Sequence, residues 1–340
     1  MGAPTQPEVL HRAPVHVDMR WAGLHGIGRF ATEVFRRIPG ARALPIAGPK
    51  LSPIDPLAGS WALAWQREGC FFSPGFNAPL WSRLPFVFCV HDLTHLRVAS
   101  ESTAVRRAYY ASVVRPGIAR AWRVLTGSEH ARADILDWSG APPEKVVVVG
   151  HGVSDVFTPS GAAASVDGAG YFLHVGSRAS HKNVDGLLRA FARSGLHRDF
   201  LLVMTGSPDA PTLAVAESLG LAARLRFIGP VDDAALAAWY RGCTALVFPS
   251  WREGFGLPVL EAMACGAAVI TASTSSLPEV VGQGNGLLID PADTDALAAA
   301  MQQVAEDAAL RDRLRRAGPP RAEGFRWDSV ALRVRASLPR

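Results

Sequence analysis

Ser250-Trp251-Arg252-Glu253-Gly254-Phe255-Gly256-Leu257-Pro258-Val259-Leu260-Glu261-Ala262-Met263-Ala264-Cys265-Gly266 is the stretch whose reading decides the fold. Ahead of it, Ala245-Leu246-Val247-Phe248-Pro249 is an apolar run ending at a proline, the pattern of a buried strand entering a turn. Behind the loop, Pro258 to Cys265 reads as a helix with proline at its first position, where no amide hydrogen is needed. Gly254 and Gly256 allow the intervening backbone to approach a ligand closely. The start of a helix leaves amides without intrahelical partners and favours phosphate. Glu253 precedes that position and Glu261 lies about a turn inside the helix. Carboxylates repel phosphate but accept hydrogen bonds from sugar hydroxyls. The pattern therefore suits a diphosphate on the helix end with a hydroxyl-rich group on each side. Read alone, the same outline serves any doubly wound α/β turn, with Glu261 a solvated helix residue.

Working outward, short apolar runs alternate with helical patterns along the chain, which predicts α/β units on parallel sheets. The expected strands are Pro14–Asp18, Gly69–Ser73, Phe86–Val90, Arg123–Thr126 and Val146–Val149 in the first half. In the second half they are Tyr171–Val175, Phe200–Thr205, Leu225–Ile228, Thr244–Phe248 and Ala268–Thr271. Between the two sets, residues 155–170 are rich in Gly, Ala, Ser and Pro without periodicity and read as a linker. A length of 340 residues suits two domains. The expected division is residues 1–155 and 156–324, with 325–340 a terminal helical segment.

Apolar residues make up 49% and charged residues 19%, the balance of a folded globular chain. No apolar window is long enough to span a bilayer, and Met1–Glu8 lacks the pattern of a secretory leader. Cys70, Cys89, Cys243 and Cys265 show no C-x-x-C pair and read as buried thiols of a reducing compartment, so a cytoplasmic address is expected. The net charge of +5 lies wholly in residues 1–155, where 17 Lys plus Arg face 12 Asp plus Glu. Much of it falls in Arg106–Tyr110 and Arg115–Arg123, a helical region interleaved with Trp122. That face suits an anionic bilayer surface. A solvated arginine-rich face fits the same residues. No nucleic-acid motif is present.

Three further motifs stand at strand ends. Gly176-Ser177-Arg178-Ala179-Ser180-His181-Lys182-Asn183 follows the first strand of the second half, where Lys182 and Arg178 are placed to neutralise a departing diphosphate. Val90-His91-Asp92 ends an apolar strand, the end at which α/β sheets gather ligands. Gly26, Gly28 and Ala31 satisfy G-x-G-x-x-A, a dinucleotide fingerprint that allows a nicotinamide-dependent oxidoreductase. Against that reading, the glycines come late after their strand, and no strand ending in an acidic residue follows about 20 residues on.

Glu253, Gly254, Phe255, Gly256, Pro258, Glu261, Ala262, Ala264 and Gly266, continued by Ala268–Ser273, Leu277–Gly282 and Gly286–Pro291, resemble the E-x7-E segment of retaining GT-B glycosyltransferases of family GT4. The Lys182-Asn183 loop resembles the phosphate-binding loop of that family, although His181 stands where an arginine is common. The resemblance implies two Rossmann-like domains facing across a cleft, with the last helix crossing back to the first domain. It implies that Glu253 accepts from the hexose and Glu261 from the ribose, with the amides of Leu257, Pro258, Val259 and Leu260 at the diphosphate. His91 would contact the donor sugar, Gly26 and Gly28 would lie near it, and Gly229 and Val231 would line the nucleobase pocket. The nucleotide sugar is a substrate; no cofactor and no metal are expected. Thr274-Ser275-Ser276-Leu277-Pro278 resembles mannosyltransferase-like members, which points to GDP-mannose, with a UDP- or dTDP-sugar as the alternative. The acceptor implied is a saccharide or lipid-linked saccharide of bacterial polysaccharide synthesis. A catalytically silent sugar-binding subunit is the remaining alternative.

Overall fold

The computed structural model describes residues 13–23 and 26–339. The stretch Met1–Glu8 read for a leader, and Leu24 and His25 of the glycine loop, lie outside the described residues. Two parallel sheets carry the chain. The first contains β1 (Val15–Val17), β2 (Ala41–Ala43), β3 (Cys70–Ser73), β4 (Phe86–Cys89), β5 (Arg123–Thr126) and β6 (Val146–Val148), in the order β2-β1-β3-β4-β5-β6. The second contains β7 (Gly170–His174), β8 (Phe200–Met204), β9 (Leu225–Phe227), β10 (Ala245–Phe248), β11 (Val269–Ala272) and β12 (Leu287–Ile289), in the order β12-β11-β10-β7-β8-β9.

Continuous apolar strands follow from helices on both faces of each sheet. Successive residues of β3 illustrate this: Phe71 packs with Tyr110, Val114 and Ile118 on one side. Phe72 packs with Phe30, Val34 and Val330 on the other. In the second sheet Leu246 and Val269 belong to one cluster and Val247 and Ile270 to its opposite. The four cysteines are buried and free, and burial pushes their thiols up.

The ten expected strands are present, each with ends within two residues of those anticipated. β2 and β12 were not anticipated; both are edge strands of three residues. The helix Trp327–Ser337 packs Trp327, Val330 and Val334 against Val17, Phe30 and Val34 under the first sheet. The chain thus passes between the sheets twice, side by side. The Val153 amide donates to the Phe325 carbonyl at 2.9 Å, and a Cβ on Gly152 would stand 2.5 Å from the Trp327 ring.

Strand order reverses between β1 and β3 in one sheet and between β7 and β10 in the other. Ligands of open α/β sheets bind beyond the carboxyl ends of the strands at such reversals.

Candidate active site

The loops leaving β7 and β10 meet at the second reversal. One brings Lys182, at the end of the short helical turn Ser180–Lys182, and the other brings Glu253. Lys182 Nζ lies 2.6 Å from Glu253 Oε1, both side chains being mostly shielded. The backbone joins the loops as well, through the Trp251 amide and the His181 carbonyl at 2.8 Å. Glu253 is fixed from behind by the loop after β11. Its amide donates to Ser275 Oγ at 3.0 Å, while the Ser276 hydroxyl donates to the carbonyls of Glu253 and Phe255 at 3.0 and 2.9 Å. The serines of Thr274-Ser275-Ser276 therefore act as supports of the Glu253 loop.

The helix after this loop runs Leu257–Ala264, so Pro258 takes its second position and not the first. Of the amides expected at a diphosphate, Pro258 has none. Those of Val259 and Leu260 turn back to the Gly256 carbonyl at 3.1 and 3.3 Å. That part of the expectation is corrected: only the opening of the helix, at Leu257, can face an anion. Gly26 opens the helix Gly26–Arg37 opposite it, and a Cβ on Gly26 would meet the Leu257 side chain at 3.3 Å. Two helix N-termini with their partial positive charges thus converge on one point. Gly28 is buried in that turn, where a Cβ would come 2.5 Å from the Gly23 carbonyl oxygen.

Glu261 is buried at 5% exposure and both of its oxygens are engaged. The Tyr240 hydroxyl donates to Oε2 at 3.0 Å, and Arg29 from the first half donates to Oε1 at 3.2 Å. Arg29 also pairs with Asp233 at 2.6 Å. Burial pushes the Glu261 carboxyl up from 4.5 to about 7, against the pull of Arg29 and Tyr240. Neither Arg29 nor Tyr240 was anticipated. A signal for Arg29 exists, since a cation near the first turn of a helix opposes the helix dipole and needs a carboxylate elsewhere.

Arg178 turns toward the end of β8, donating to the Thr205 carbonyl at 2.6 Å and lying 3.6 Å from Asp209. Its contacts run to the wall that holds Gly229, whose carbonyl accepts from the Gly206 amide at 2.8 Å, rather than to Glu253. Val231 follows half-buried, and Asp232 caps the next helix by accepting from the Ala235 amide at 2.8 Å. Beneath Lys182, His174 is fully buried, with Nδ1 donating to the Val247 carbonyl at 3.1 Å. Burial holds it down at about 4, aided by the charges of Arg178 and Lys182.

On the first side, His91 Nε2 donates to the Pro74 carbonyl at 2.8 Å. The ring packs against Phe30, Phe76 and His151. Burial, and His91 beside it, hold His151 well below the usual histidine range. The backbone of His91 and the Asp92 carboxylate press on Gly254: a Cβ there would stand 2.6 Å from Asp92 Oδ2. Gly254 also accepts from Ser128 Oγ at 2.9 Å, and the Phe255 ring lies 5.0 Å from that of His151. Glu279 receives the amides of Glu129 and His130 at 2.8 and 2.7 Å, and Arg252 pairs with Asp134. His91, Lys182, Glu253 and the Gly254–Leu257 turn are thus brought to one cleft.

The family profile described as Glycosyl transferases group 1 matches residues 161–321, and that described as Glycosyltransferase Family 4 matches residues 28–156. The chain belongs to this glycosyltransferase family. The glycosyltransferase is 29% identical over 295 residues to O-antigen chain mannosyltransferase B of Escherichia coli, covering 83% of this chain and 77% of that one. It is 31% identical over 273 residues to a D-inositol 3-phosphate glycosyltransferase of Frankia alni, covering 74% and 67%. The chain spans about half the length of other relatives of that name, 51% for the one from Streptomyces avermitilis. A sucrose-phosphate synthase from Thermosynechococcus elongatus superimposes with a TM-score of 0.77 at 21% identity, over 96% of this chain and 98% of that one. The fold is GT-B. The dinucleotide reading of Gly26 and Gly28 falls with this assignment, and β2 ends at Ala43 without an acidic residue.

The stretch read for a basic helical face is helical from Ala104 to Arg120, with a π-helical segment Tyr110–Val114 inside it, and Arg123 opens β5. Among the described residues no helix is long and apolar enough to cross a membrane.

Proposed function

We propose that this glycosyltransferase moves a hexose from a nucleotide sugar, GDP-mannose in the first instance, to a saccharide or lipid-linked saccharide in bacterial polysaccharide synthesis, with retention of anomeric configuration. The observation that carries this reading is the Lys182–Glu253 pair at 2.6 Å, set where the helices starting at Gly26 and Leu257 converge. A diphosphate there meets Lys182 and two positive helix ends, so charge developing on the departing phosphate is stabilised where it forms. Glu253, freed from Lys182 by the arriving phosphate, accepts from the hexose hydroxyls. Glu261 accepts from the ribose, and His91 completes the sugar pocket. Arg178, Gly229 and Val231 border the nucleobase end. In the step itself the bond from the anomeric carbon to phosphate breaks as the acceptor oxygen bonds on the same face. The acceptor proton passes to the departing phosphate oxygen. Lys182 and the helix ends supply the positive charge, so the step calls on no metal and no cofactor.

The donor assignment follows the likeness to O-antigen chain mannosyltransferase B and the Thr274–Pro278 segment. The arginine-rich stretch 106–123 suits a visit to the cytoplasmic face of the membrane, where a lipid-linked acceptor is held. The test is incubation with GDP-mannose and with UDP- and dTDP-hexoses, followed by NMR of the anomeric proton of the product. An α-linked mannoside from GDP-mannose is expected. Turnover of another donor alone would replace the donor and keep the reaction class, whereas a β-linked product from an α-linked donor would overturn the retaining mechanism.

A further inference from the structure

The helix Asp55–Ala64 is built inside out. Its buried side carries Asp55, Gly59 and Ser60 beside Leu63. On its outer side stand Ile54, Leu57, Trp61 and Trp65, one above another along the helix. Trp61 and Trp65 are 67% and 72% exposed, with rings edge to face at 6.2 Å. Leu80 and Trp81 are exposed as well and are tethered alongside the helix, their amides donating to the Pro56 carbonyl at 3.1 Å and to Ser60 Oγ at 3.0 Å. A helix of a globular protein ordinarily turns such a stripe inward, and a contiguous apolar surface of this kind marks an interaction site.

The orientation is locked by the polar side. Asp55 accepts from Arg20 at 2.7 Å, from the Tyr109 hydroxyl at 3.1 Å and from Asn77, and the Ser60 hydroxyl donates to the Pro56 carbonyl at 2.8 Å. Rotating the helix to hide its tryptophans would strand Asp55 and its partners Arg20, Asn77 and Tyr109. The rim of the face is cationic. Arg120 donates to the carbonyls of Pro79 and Leu80, and the helical stretch docked through Tyr109 exposes Arg107 and Arg115. No acidic residue occurs from Ser102 to Ser128.

We propose that this face, centred on Trp61, Trp65 and Trp81, beds into the headgroup layer of an anionic bilayer. Indole rings favour that layer, and arginines at its edge meet lipid phosphates. The placement agrees. Asp55 is tied to Arg20 and Asn77, which follow β1 and β3, so the start of the helix stands at the strand ends where the cleft opens. A membrane along this face lies beside the cleft mouth. The inference rests on the reading that the protein works at a membrane, and names the surface that does so.

The experiment is cosedimentation of the full chain with vesicles of phosphatidylcholine, with and without phosphatidylglycerol. It compares the wild type, the triple variant Trp61→Ser/Trp65→Ser/Trp81→Ser, and Arg115→Glu. All four side chains are exposed, so the thermal midpoint and its shift on adding nucleotide should match the wild type in every variant. The wild type should bind phosphatidylglycerol vesicles, with partitioning weakened roughly tenfold or more in the triple variant and less in Arg115→Glu. Undiminished binding by the triple variant overturns the assigned face and leaves the membrane reading standing. Absence of wild-type binding overturns both. A wild-type dimer that the triple variant converts to monomer, with no vesicle binding, assigns the face to a second copy instead.

Discussion

Replacing Arg29 with methionine should change the dependence of stability on pH, because of the carboxylate it serves. Burial raises the Glu261 carboxyl from 4.5 to about 7. The sign follows from linkage: the folded state holds this proton more tightly than the unfolded chain does. The group therefore costs nothing at low pH, and a penalty grows as the pH rises from 4.5, reaching about 3 kcal/mol by pH 7 and staying level above it. Arg29 is the main force holding the folded value down. Without it the carboxyl stays protonated to higher pH, and the penalty continues at up to ~1.4 kcal/mol per pH unit. Arg29→Met should therefore show a stability deficit that is smallest at low pH and grows as the pH rises above about 7, by up to ~1.4 kcal/mol per pH unit while the carboxyl stays protonated. Asp233, its other partner, is half exposed and regains water, so the low-pH deficit should stay under ~1 kcal/mol. Scanning calorimetry from acid to alkaline pH, on wild type, Arg29→Met, Glu261→Gln and the double variant, measures this directly. A Tm deficit that is constant across pH refutes the reasoning. So does one whose pH dependence survives in the Glu261→Gln background.

Glu253→Gln and Lys182→Met should each lower transfer by roughly 100-fold or more while leaving Tm within a few degrees, as read by initial rates and calorimetry. Equal losses of Tm and rate would instead make the pair structural. Gly254→Ala should raise the donor KM and weaken transfer by an order of magnitude or so, since its Cβ would stand 2.6 Å from Asp92 Oδ2 and wedge the two sides of the cleft apart. Steady-state kinetics showing an unchanged KM would contradict that wedge. His174 is buried and held at about 4, so the stability it leaves intact above pH 6.5 is lost as pH falls toward 4, by up to about 3 kcal/mol. His174→Asn should flatten the acid limb of the Tm profile, and an unaltered limb would assign the acid loss to other groups.

Most of the ten strands that could be read in advance are short apolar runs, because helices cover both faces of the sheets, and Leu225-Arg226-Phe227 is an alternating exception at an edge. Ala41-Arg42-Ala43 has no such run and is largely exposed at an edge, so nothing in its composition separates it from a loop. The site divides the same way. Lys182 and Glu253 lie in loops at strand ends, where α/β topology gathers chemistry, and they were legible. Arg29 and Tyr240 reach Glu261 from helices far away in the chain, and only the tertiary arrangement shows it. The stripe Ile54, Leu57, Trp61 and Trp65 misleads outright: its helical spacing is that of a core face. The polar network around Asp55 points the helix the other way.

The return of the last helix to the first sheet has a consequence for synthesis on the ribosome. Val17, Phe30 and Val34 are covered by Trp327, Val330 and Val334, so the first half emerges with part of its apolar interior bare. It stays so until about 180 further residues have been translated after β6, a wait of roughly 10–40 s at ordinary elongation rates. During that interval the bare apolar surface is open to non-native contacts. A message broken ahead of the codon for Trp327 leaves a product lacking the residues that cover this surface.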